Sequence, residues 1–165
     1  MAKLTLIPKP GRPPDSPSAF RPICLLDEAG KLFERIVASR LAEHLAQEGP
    51  DLSENQYGFQ RERSTIDAIE SVKSNAQAAL RQGGKVLAVS IDIVNAFNSI
   101  PWDRIRRALI KHRVPTYLRN IIGSYLSDRA IIYRNEGGIV LKKPVNRRVP
   151  QGSVLGPLLW NLGFN

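Results

Sequence analysis

The sequence predicts an α+β fold. Three observations support this class: a proline-rich N-terminal segment that favours extended chain, several stretches with helical hydrophobic periodicity, and a hairpin signal in the C-terminal third. Helices and strands do not alternate as a doubly wound α/β fold requires, so that class is disfavoured. The 165 residues suffice for one domain with a buried core and are too few for two comfortable ones.

The N-terminal segment, residues 1–22, predicts a strand followed by a loop. Four prolines and a glycine lie among residues 8–14, which excludes a helix there and restricts any strand to a sheet edge. Extended structure resumes at Phe20, because Arg21 precedes Pro22 and a residue before proline avoids the helical region.

Two amphipathic helices follow. The first, over residues 28–47, has a continuous apolar face and ends at Gly49-Pro50. We place on that face Leu32, Phe33, Ile36, Val37, Leu41 and Leu45, and away from it Glu34, Arg35, Arg40, Glu43 and Gln47. The second helix begins near Ser64, which forms a capping-box pattern with Asp67, and ends at Gly83-Gly84.

The second half of the chain contains both strands and helices. Residues 86–93 are rich in β-branched residues and almost continuously apolar, which predicts a central strand covered on both faces. The remaining predicted elements are helices over 102–112 and 117–126, a hairpin that pairs 131–134 with 139–142 across the turn Glu136-Gly137-Gly138, a third short strand over 145–149, and a final helix from Ser153.

Composition excludes several classes of protein. No apolar run approaches the roughly 18 residues of a membrane span, and the short basic N-terminus lacks the apolar stretch of a secretory signal. One cysteine, Cys24, excludes an internal disulfide and a cysteine-based zinc cluster. His44 and His112 are far apart in the chain, which disfavours a histidine-rich metal site.

The net charge of +9 is concentrated in one part of the chain. Residues 1–100 hold 12 Lys/Arg and 12 Asp/Glu, whereas residues 101–165 hold 12 Lys/Arg and only Asp103, Asp128 and Glu136. A basic half of a folded domain usually faces a polyanion, most commonly nucleic acid. A merely soluble basic surface is the alternative, because charge bears on partners and not on fold.

Asp92 stands out inside the apolar segment 86–93. Burying a carboxylate there is costly unless a cation or a hydrogen-bond donor meets it. Two interpretations are open: Asp92 caps a turn at the end of the strand, or it is a ligand of Mg²⁺, which prefers hard oxygen ligands.

Five sequence blocks follow one another across nearly the whole chain. They are residues 6–11 (LIPKPG), 20–23 (FRPI), 56–59 with 63–65 (QYGF and RST), 92–97 (DIVNAF) and 150–157 (PQGSVLGP). Together they resemble reverse transcriptases, most of all those of non-LTR (LINE-type) retrotransposons. The last block is specific on its own, whereas the fourth is weak by itself.

The resemblance implies a reverse transcriptase with fingers over residues 1–85 and the first part of a palm, with a basic hairpin, over residues 86–165. Asp92 would be the first metal-binding carboxylate, and the Ile93 carbonyl would help to hold the second of two Mg²⁺ ions. The implied ligands are an RNA template, a DNA primer and deoxynucleoside triphosphates. The implied location is intracellular, in a nuclear or cytoplasmic ribonucleoprotein.

The resemblance also implies a set of nucleotide-binding residues: Lys9, Arg21, Ala96, Phe97, Gln151 and Gly152. Lys9 and Arg21 would neutralise the triphosphate, and Phe97 would reject a 2′-hydroxyl by its bulk. Gln151 and Gly152 would line the pocket for the nucleotide and the template base pair. Without the resemblance, the cations are surface charges, Phe97 is a core aromatic residue and residues 150–152 are a turn.

Contacts with template and primer are implied for Arg63, Ser64, Thr65, Lys142, Lys143, Arg147 and Arg148. Cations of this kind contact phosphates, which position a duplex without reading its sequence. Ser64 is also explained as a helix cap. The four cations over residues 142–148 are also explained as the solvated edge of a hairpin.

Two departures from the family pattern affect the expected activity. Gln60 stands where the family commonly has arginine. The aromatic-x-Asp-Asp hairpin that supplies the family's remaining carboxylates has no counterpart, because no two aspartates are adjacent in this sequence. We therefore expect a fragment truncated before that hairpin and inactive on its own. The alternatives are a non-catalytic RNA-binding or scaffold module derived from a polymerase and, with less support, an unrelated basic DNA-binding domain.

Overall fold

The structure is a computed structural model that describes residues 3–13, 15–47, 52–93, 95–134 and 137–165. Helices and strands are mixed, as predicted. In chain order they are β1 (Lys3–Pro8), a 3-10 turn (Pro17–Ala19), β2 (Phe20–Leu25), α1 (Glu28–Gln47), α2 (Thr65–Arg81), α3 (Ala96–Ser99), α4 (Trp102–Lys111), α5 (Thr116–Leu126), β3 (Ala130–Arg134), β4 (Val140–Pro144) and α6 (Gly156–Phe164).

The strands form two separate antiparallel pairs. In the first, β1 pairs with β2 so that Leu4 lies opposite Cys24 and Ile7 lies opposite Arg21. In the second, β3 pairs with β4 across the predicted hairpin. Because an isolated two-stranded pair is only marginally stable in water, both hairpins depend on contacts with the rest of the chain.

The hydrophobic core lies between α1, α4, α5 and α6. Its buried side chains include Val37, Leu41, Leu45, Ile105, Leu109, Leu118, Ile122, Leu126, Leu155, Leu159 and Leu162. Within each helix these residues are mostly three or four positions apart, which places them on one face. Among the described residues, no helix is both long and apolar enough to span a membrane.

The long predicted helices are confirmed. α2 begins with the predicted capping box, in which the Ser64 hydroxyl accepts a 3.2 Å hydrogen bond from the Asp67 amide and the Asp67 carboxylate accepts a 2.6 Å bond from the Ser64 amide. These bonds satisfy two amides that the first helical turn leaves without a partner. The predicted end of α1 at Gly49-Pro50, like the hairpin-turn residue Glu136, lies outside the described residues.

The predicted apolar face of α1 is wrong in part. Leu32, Phe33 and Ile36 are exposed, whereas Glu34 is only 1% exposed. The buried side of the helix instead runs from Glu34 to Leu45. A carboxylate can occupy the buried side only when hydrogen bonds satisfy it, and the partners of Glu34 come from distant parts of the chain.

The predicted central strand over residues 86–93 is also wrong. This segment has no strand partner among the described residues, and its apolar side chains are exposed, with Leu87 at 88% and Ile91 at 85%. A buried strand needs neighbours along its edges and a layer on each face. The two hairpins supply neither, so the apolar composition of this segment is not enough to make it a strand.

Two smaller predictions also need correction. The third strand over residues 145–149 is not formed, since within it only Arg147 makes an isolated bridge. The final helix begins at Gly156 rather than at Ser153, because residues 150–153 form a turn closed by a backbone hydrogen bond.

Candidate functional site

Five of the six residues predicted to bind a nucleotide line one small cleft. The cleft measures about 150 Å³ and lies between the β1–β2 hairpin, the short helix α3 and the turn over residues 150–153. Its lining residues are Lys9, Phe20, Arg21, Pro22, Asn95, Ala96, Phe97, Asn98 and Gln151. Three segments that are far apart in the chain therefore meet at this cleft.

The two cations of the cleft come from one end of the β1–β2 hairpin. Lys9 directly follows β1, and its amide donates a 2.6 Å hydrogen bond to the Ala19 carbonyl. Arg21 lies on β2 opposite Ile7, and its side chain is exposed. The strand pairing keeps both positive charges at the cleft, where they can bind an anion with several oxygen atoms, such as a phosphate chain.

Helix α3 is a single turn that presents Ala96 and Phe97 to the cleft. Asn95 precedes it with φ +54°, in the left-handed region that asparagine tolerates better than most residues. The carbonyl of Phe97 accepts a 2.8 Å hydrogen bond from the Val149 amide. This bond ties α3 to the segment that leads into the turn over residues 150–153.

Phe97 also belongs to an aromatic cluster. Its ring meets Phe59 edge-on at 5.7 Å between centroids and lies 5.6 Å from Trp160, which in turn stacks on Phe164. Offset and edge-on geometries of this kind stabilise ring pairs. The half-buried Phe97 therefore packs against other aromatic residues and also forms a wall of the cleft, so both sequence-based interpretations keep support.

The turn over residues 150–153 contributes Gln151 and lies against β2. The Gln151 carbonyl accepts a 2.8 Å hydrogen bond from the Cys24 amide. Gly152 has φ +96°, and a Cβ at this position would lie 2.9 Å from the Cys24 carbonyl oxygen. Only glycine fits both this backbone conformation and this close approach. Gly152 itself does not line the cleft, and it acts by letting the turn touch the strand.

The sequence patterns did not identify two buried polar residues, Glu34 and Asn161, which make hydrogen bonds to segments next to the cleft. The Glu34 carboxylate accepts hydrogen bonds from the Ser153 hydroxyl at 2.8 Å and the Val154 amide at 2.6 Å. In α6, the Asn161 side-chain amide donates a 2.8 Å bond to the Gly58 carbonyl, within the QYGF block. A polar residue among apolar neighbours on a helix was the only sequence signal for either residue.

Asp92 and Ile93, the predicted metal ligands, lie outside the cleft. Both are exposed, in the segment over residues 86–93. A carboxylate and a carbonyl are hard oxygen ligands that suit Mg²⁺, but a pair of metal ions needs several carboxylates. In the part of the chain that the structure describes, no three His, Cys, Asp or Glu side chains are grouped so that they could hold a metal ion. Among the described residues, the ligand set is therefore incomplete for two ions.

Arg63, Ser64 and Thr65 lie at the exposed start of α2 and outside the cleft. The Arg63 guanidinium donates a 3.0 Å hydrogen bond to the Glu54 carbonyl and lies 5.3 Å from the centre of the Tyr57 ring. Ser64 is the N-cap and Thr65 is the first residue of α2. These contacts give Arg63 and Ser64 a role in local structure, and they leave the predicted template contact as a prediction.

The four cations over residues 142–148 do not share one face. Lys142 and Lys143 are consecutive exposed residues of β4, and successive strand side chains project to opposite faces. Arg147 is exposed, whereas Arg148 is partly buried and has φ +83°. A single nucleic-acid backbone lying on one face of the hairpin would therefore meet one of the two lysines.

A larger cavity of about 550 Å³ shares Gln151 with the cleft. Cys24, Arg129 and Arg148 are among its lining residues. Burial raises the pKa of the Cys24 thiol, and the nearby guanidinium groups of Arg129 and Arg148 oppose that shift in part. The cavity therefore combines apolar walls with two positive charges and a protonated thiol at neutral pH.

Comparison with protein families identifies the chain over nearly its full length. Residues 7–165 match the family model described as reverse transcriptase (RNA-dependent DNA polymerase). This range includes the cleft, the aromatic cluster and the turn over residues 150–153.

Curated relatives match over a similar range. The chain is 34% identical, over 98% of its length, to the "Probable RNA-directed DNA polymerase from transposon BS" of Drosophila melanogaster. It is 33% identical over 96% of its length to the protein named for transposon X-element, and 29% identical over 98% to the polymerase from mobile element jockey, both from the same species. The chain spans only 17% to 18% of the length of these relatives. These matches confirm the resemblance to non-LTR retrotransposon polymerases, and the chain belongs to the reverse transcriptase (RNA-dependent DNA polymerase) family.

Proposed function

We propose that the chain is the nucleotide-binding and template-binding part of the RNA-directed DNA polymerase of a non-LTR retrotransposon. In this proposal residues 1–85 form the fingers and residues 86–165 the first part of the palm. The ligands are an RNA template, a DNA primer and deoxynucleoside triphosphates, bound within a nuclear or cytoplasmic ribonucleoprotein. The observation that carries the proposal is the cleft, which brings Lys9, Arg21 and Gln151 together with α3.

The charges of the cleft suit a triphosphate. The planar guanidinium of Arg21 can donate two parallel hydrogen bonds to phosphate oxygens, and the Lys9 ammonium acts as a point charge beside it. Because the β1–β2 hairpin holds both residues at one end, the two side chains can bind one phosphate chain together.

The aromatic wall of the cleft suits a deoxyribose. Phe59 and Trp160 both pack against the Phe97 ring, so this ring cannot move aside without losing those contacts. A fixed ring beneath the sugar would leave room for a deoxyribose and would collide with a 2′-hydroxyl. The small side chain of Ala96 allows the nucleotide to approach the backbone.

The exposed segment 86–93 supports a palm that these 165 residues form only in part. Large exposed apolar patches usually mark surfaces that another protein segment covers. Asp92 would supply one carboxylate ligand and Ile93 one carbonyl ligand, and a further part of the polymerase would supply the remaining carboxylates. When bound, Mg²⁺ would activate the primer 3′-hydroxyl and stabilise the leaving pyrophosphate.

A non-catalytic RNA-binding or scaffold module remains a second candidate. The observation that favours it is the incomplete ligand set around Asp92 among the described residues. Such a module would bind RNA through its basic residues with a steep dependence on salt and no dependence on metal ions. It would have no reason to bind a free deoxynucleoside triphosphate in the cleft.

Calorimetric titration of the chain with a deoxynucleoside triphosphate tests the proposed function. We expect binding that Arg21→Ala weakens about tenfold or more, because the substitution removes charge-assisted hydrogen bonds to phosphate. Arg35→Ala is the matched control, since Arg35 is an exposed arginine of α1 outside the cleft. An equal loss in both variants would show non-specific attraction of phosphate to a basic protein and would contradict the assignment of the cleft.

A further inference from the structure

We propose that Glu34 is a positioning residue for the cleft: from helix α1 it fixes the turn that carries Gln151. The inference rests on the proposed function, because it assigns a residue that sets the geometry of the same nucleotide site. Glu34 lines neither the cleft nor the larger cavity, so its effect on a ligand must pass through the turn.

The Glu34 carboxylate accepts hydrogen bonds on both of its oxygens. Oε2 accepts from the Ser153 hydroxyl at 2.8 Å, from the Val154 amide at 2.6 Å and from the Leu155 amide at 3.3 Å. Oε1 accepts from the hydroxyl of Tyr125 in α5. One side chain of α1 therefore joins α5 to the residues that directly precede α6.

The surroundings of Glu34 explain how a carboxylate can be 1% exposed. No salt bridge to it forms within the described ranges, so its hydrogen-bond donors must compensate for the lost hydration. Leu155 is the N-cap of α6 and Val154 directly precedes it, so both amides lie at the end of the helix where its dipole favours negative charge. Hydrogen bonds to a charged acceptor are stronger than neutral ones, so this contact can hold the turn in one conformation.

Tyr125 remains a hydrogen-bond donor to Glu34 at neutral pH. Burial, and then the hydrogen bond to Glu34, raise the pKa of the Tyr125 hydroxyl above its ordinary value. The hydroxyl therefore keeps its proton and fixes one oxygen of the carboxylate. The other oxygen is left to face the turn.

The turn is held on two sides. On one side, the Cys24 amide of β2 donates to the Gln151 carbonyl. On the other side, Ser153 donates its hydroxyl to Glu34, while its amide closes the turn onto the Pro150 carbonyl at 3.1 Å. Gln151 is therefore one point of attachment, and Ser153, two residues further along the turn, is the other. The direction in which the Gln151 side chain enters the cleft therefore depends on both.

Hydrogen exchange in the 165-residue chain tests the structural half of the inference. Glu34→Ala should speed exchange of the Val154 and Leu155 amides roughly ten- to one-hundredfold, because it removes their charged acceptor. Leu41→Ala is the control, since Leu41 is fully buried on the same side of α1 and its side chain has no hydrogen-bonding group. Leu41→Ala should speed amide exchange in α4 and at Val154 by similar factors.

The measured quantity is the exchange rate of the Val154 and Leu155 amides relative to that of the α4 amides. If this ratio is no higher in Glu34→Ala than in Leu41→Ala, the inference is overturned. Should Glu34→Ala fail to fold, Glu34→Gln carries the same test. Its amide oxygen can still accept from the turn while its NH₂ faces Tyr125, so we expect a smaller, severalfold increase. If the Val154 and Leu155 amides of Glu34→Gln exchange at the wild-type rate, and the α4 amides are also unchanged, a role for the Glu34 charge is contradicted.

Steady-state kinetics test the functional half in a longer polymerase that contains this domain. Misplacing Gln151 should raise the KM for the deoxynucleoside triphosphate roughly tenfold in Glu34→Ala, with partial recovery in Glu34→Gln. Leu41→Ala should lower the apparent kcat through loss of folded enzyme and leave KM unchanged. A fall in kcat alone in the Glu34 variants would show a merely structural role.

The two halves separate failure of this inference from failure of the proposed function. If the longer wild-type polymerase incorporates no nucleotide, the proposed function fails, while hydrogen exchange still reports whether Glu34 holds the turn. If the polymerase is active and KM does not respond to Glu34→Ala, the positioning role fails and the proposed function stands.

Discussion

The amide of Cys24 donates a 2.8 Å hydrogen bond to the carbonyl of Gln151. This bond attaches the β1–β2 hairpin to the turn over residues 150–153. The hairpin carries the cations Lys9 and Arg21, and the turn carries the amide side chain of Gln151. Gly152 makes the contact possible, because the absence of a Cβ lets the turn approach the Cys24 carbonyl. The shape of the cleft therefore depends on a contact between two regions that are distant in the chain.

Gly152→Ala should destabilise the chain by at least about 1 kcal/mol, because alanine disfavours φ +96° and its Cβ would lie 2.9 Å from a backbone oxygen. Urea unfolding measures the change in free energy of unfolding. Gly123→Ala is the matched control: Gly123 lies within α5 with open space around it, so alanine there should be neutral or stabilise by up to about 1 kcal/mol. Equal effects of the two substitutions would contradict the close approach at Gly152.

Cys24 should react slowly with a thiol-alkylating reagent. Burial raises its pKa, so less thiolate is present near pH 8 than in the unfolded chain. The rate measured across pH should rise at a higher pH in the folded chain than in urea. The raised pKa also makes the free energy of unfolding depend on pH. The stabilisation from the protonated Cys24 thiol is fully present below the thiol's ordinary pKa, and it is lost as pH rises above that value. A folded chain that reacts as fast as the unfolded one would refute this environment for the thiol.

The chain should bind nucleic acid weakly, without sequence preference, and mainly through residues 101–165. Replacing Lys142, Lys143, Arg147 and Arg148 with neutral residues should flatten the plot of log K against log salt, by up to ~0.9 per phosphate contact on duplex or ~0.7 on a single strand. Because Lys142 and Lys143 project to opposite faces of the strand, we expect the slope to fall by less than four phosphate contacts would give.

A salt titration of the wild type and of Arg21→Ala completes this comparison. Arg21 is assigned to a nucleotide triphosphate, so its loss should leave the salt slope nearly unchanged. The opposite pattern, with a wild-type slope in the quadruple variant and a reduced slope in Arg21→Ala, would place the nucleic-acid contacts on the other half of the chain.

The 165-residue chain should not extend a primer on RNA or DNA with Mg²⁺ or Mn²⁺, because the described residues do not complete a two-metal ligand set. Primer extension followed on a gel is the measurement. Template-dependent incorporation that disappears in Asp92→Ala would show that another acidic residue completes the site and would refute this prediction.

Local patterns in the sequence predicted the helices well. The capping residues Ser64 and Asp67 and the helical periodicity act over a few neighbouring residues, and the structure contains the elements they predict. The residues of the cleft were named from motifs, and five of them do meet there. Their meeting could not be derived from local patterns, because it depends on contacts such as that between Cys24 and Gln151.

Local patterns do not predict the structure where residues distant in the chain decide whether a segment is buried. The apolar character of residues 86–93 indicated a buried strand, but burial requires neighbours that the described residues do not provide. The hydrophobic spacing in α1 places Glu34 away from the apolar face, whereas the structure buries it. Its burial depends on donors from Tyr125, Ser153 and the start of α6, which no pattern within α1 reveals.

The central claim, that the cleft holds the incoming nucleotide of a reverse transcriptase, is tested most directly through Phe97. In a longer polymerase that supplies the downstream palm and thumb, Phe97→Ala should raise the kcat/KM for ribonucleotides relative to deoxyribonucleotides by roughly tenfold or more, because the ring no longer blocks a 2′-hydroxyl. Phe59→Ala, which removes a ring in contact with Phe97 but outside the cleft, is the control and should shift the ratio less. An unchanged ratio in an active Phe97→Ala polymerase would show that Phe97 is a core residue and would contradict the account.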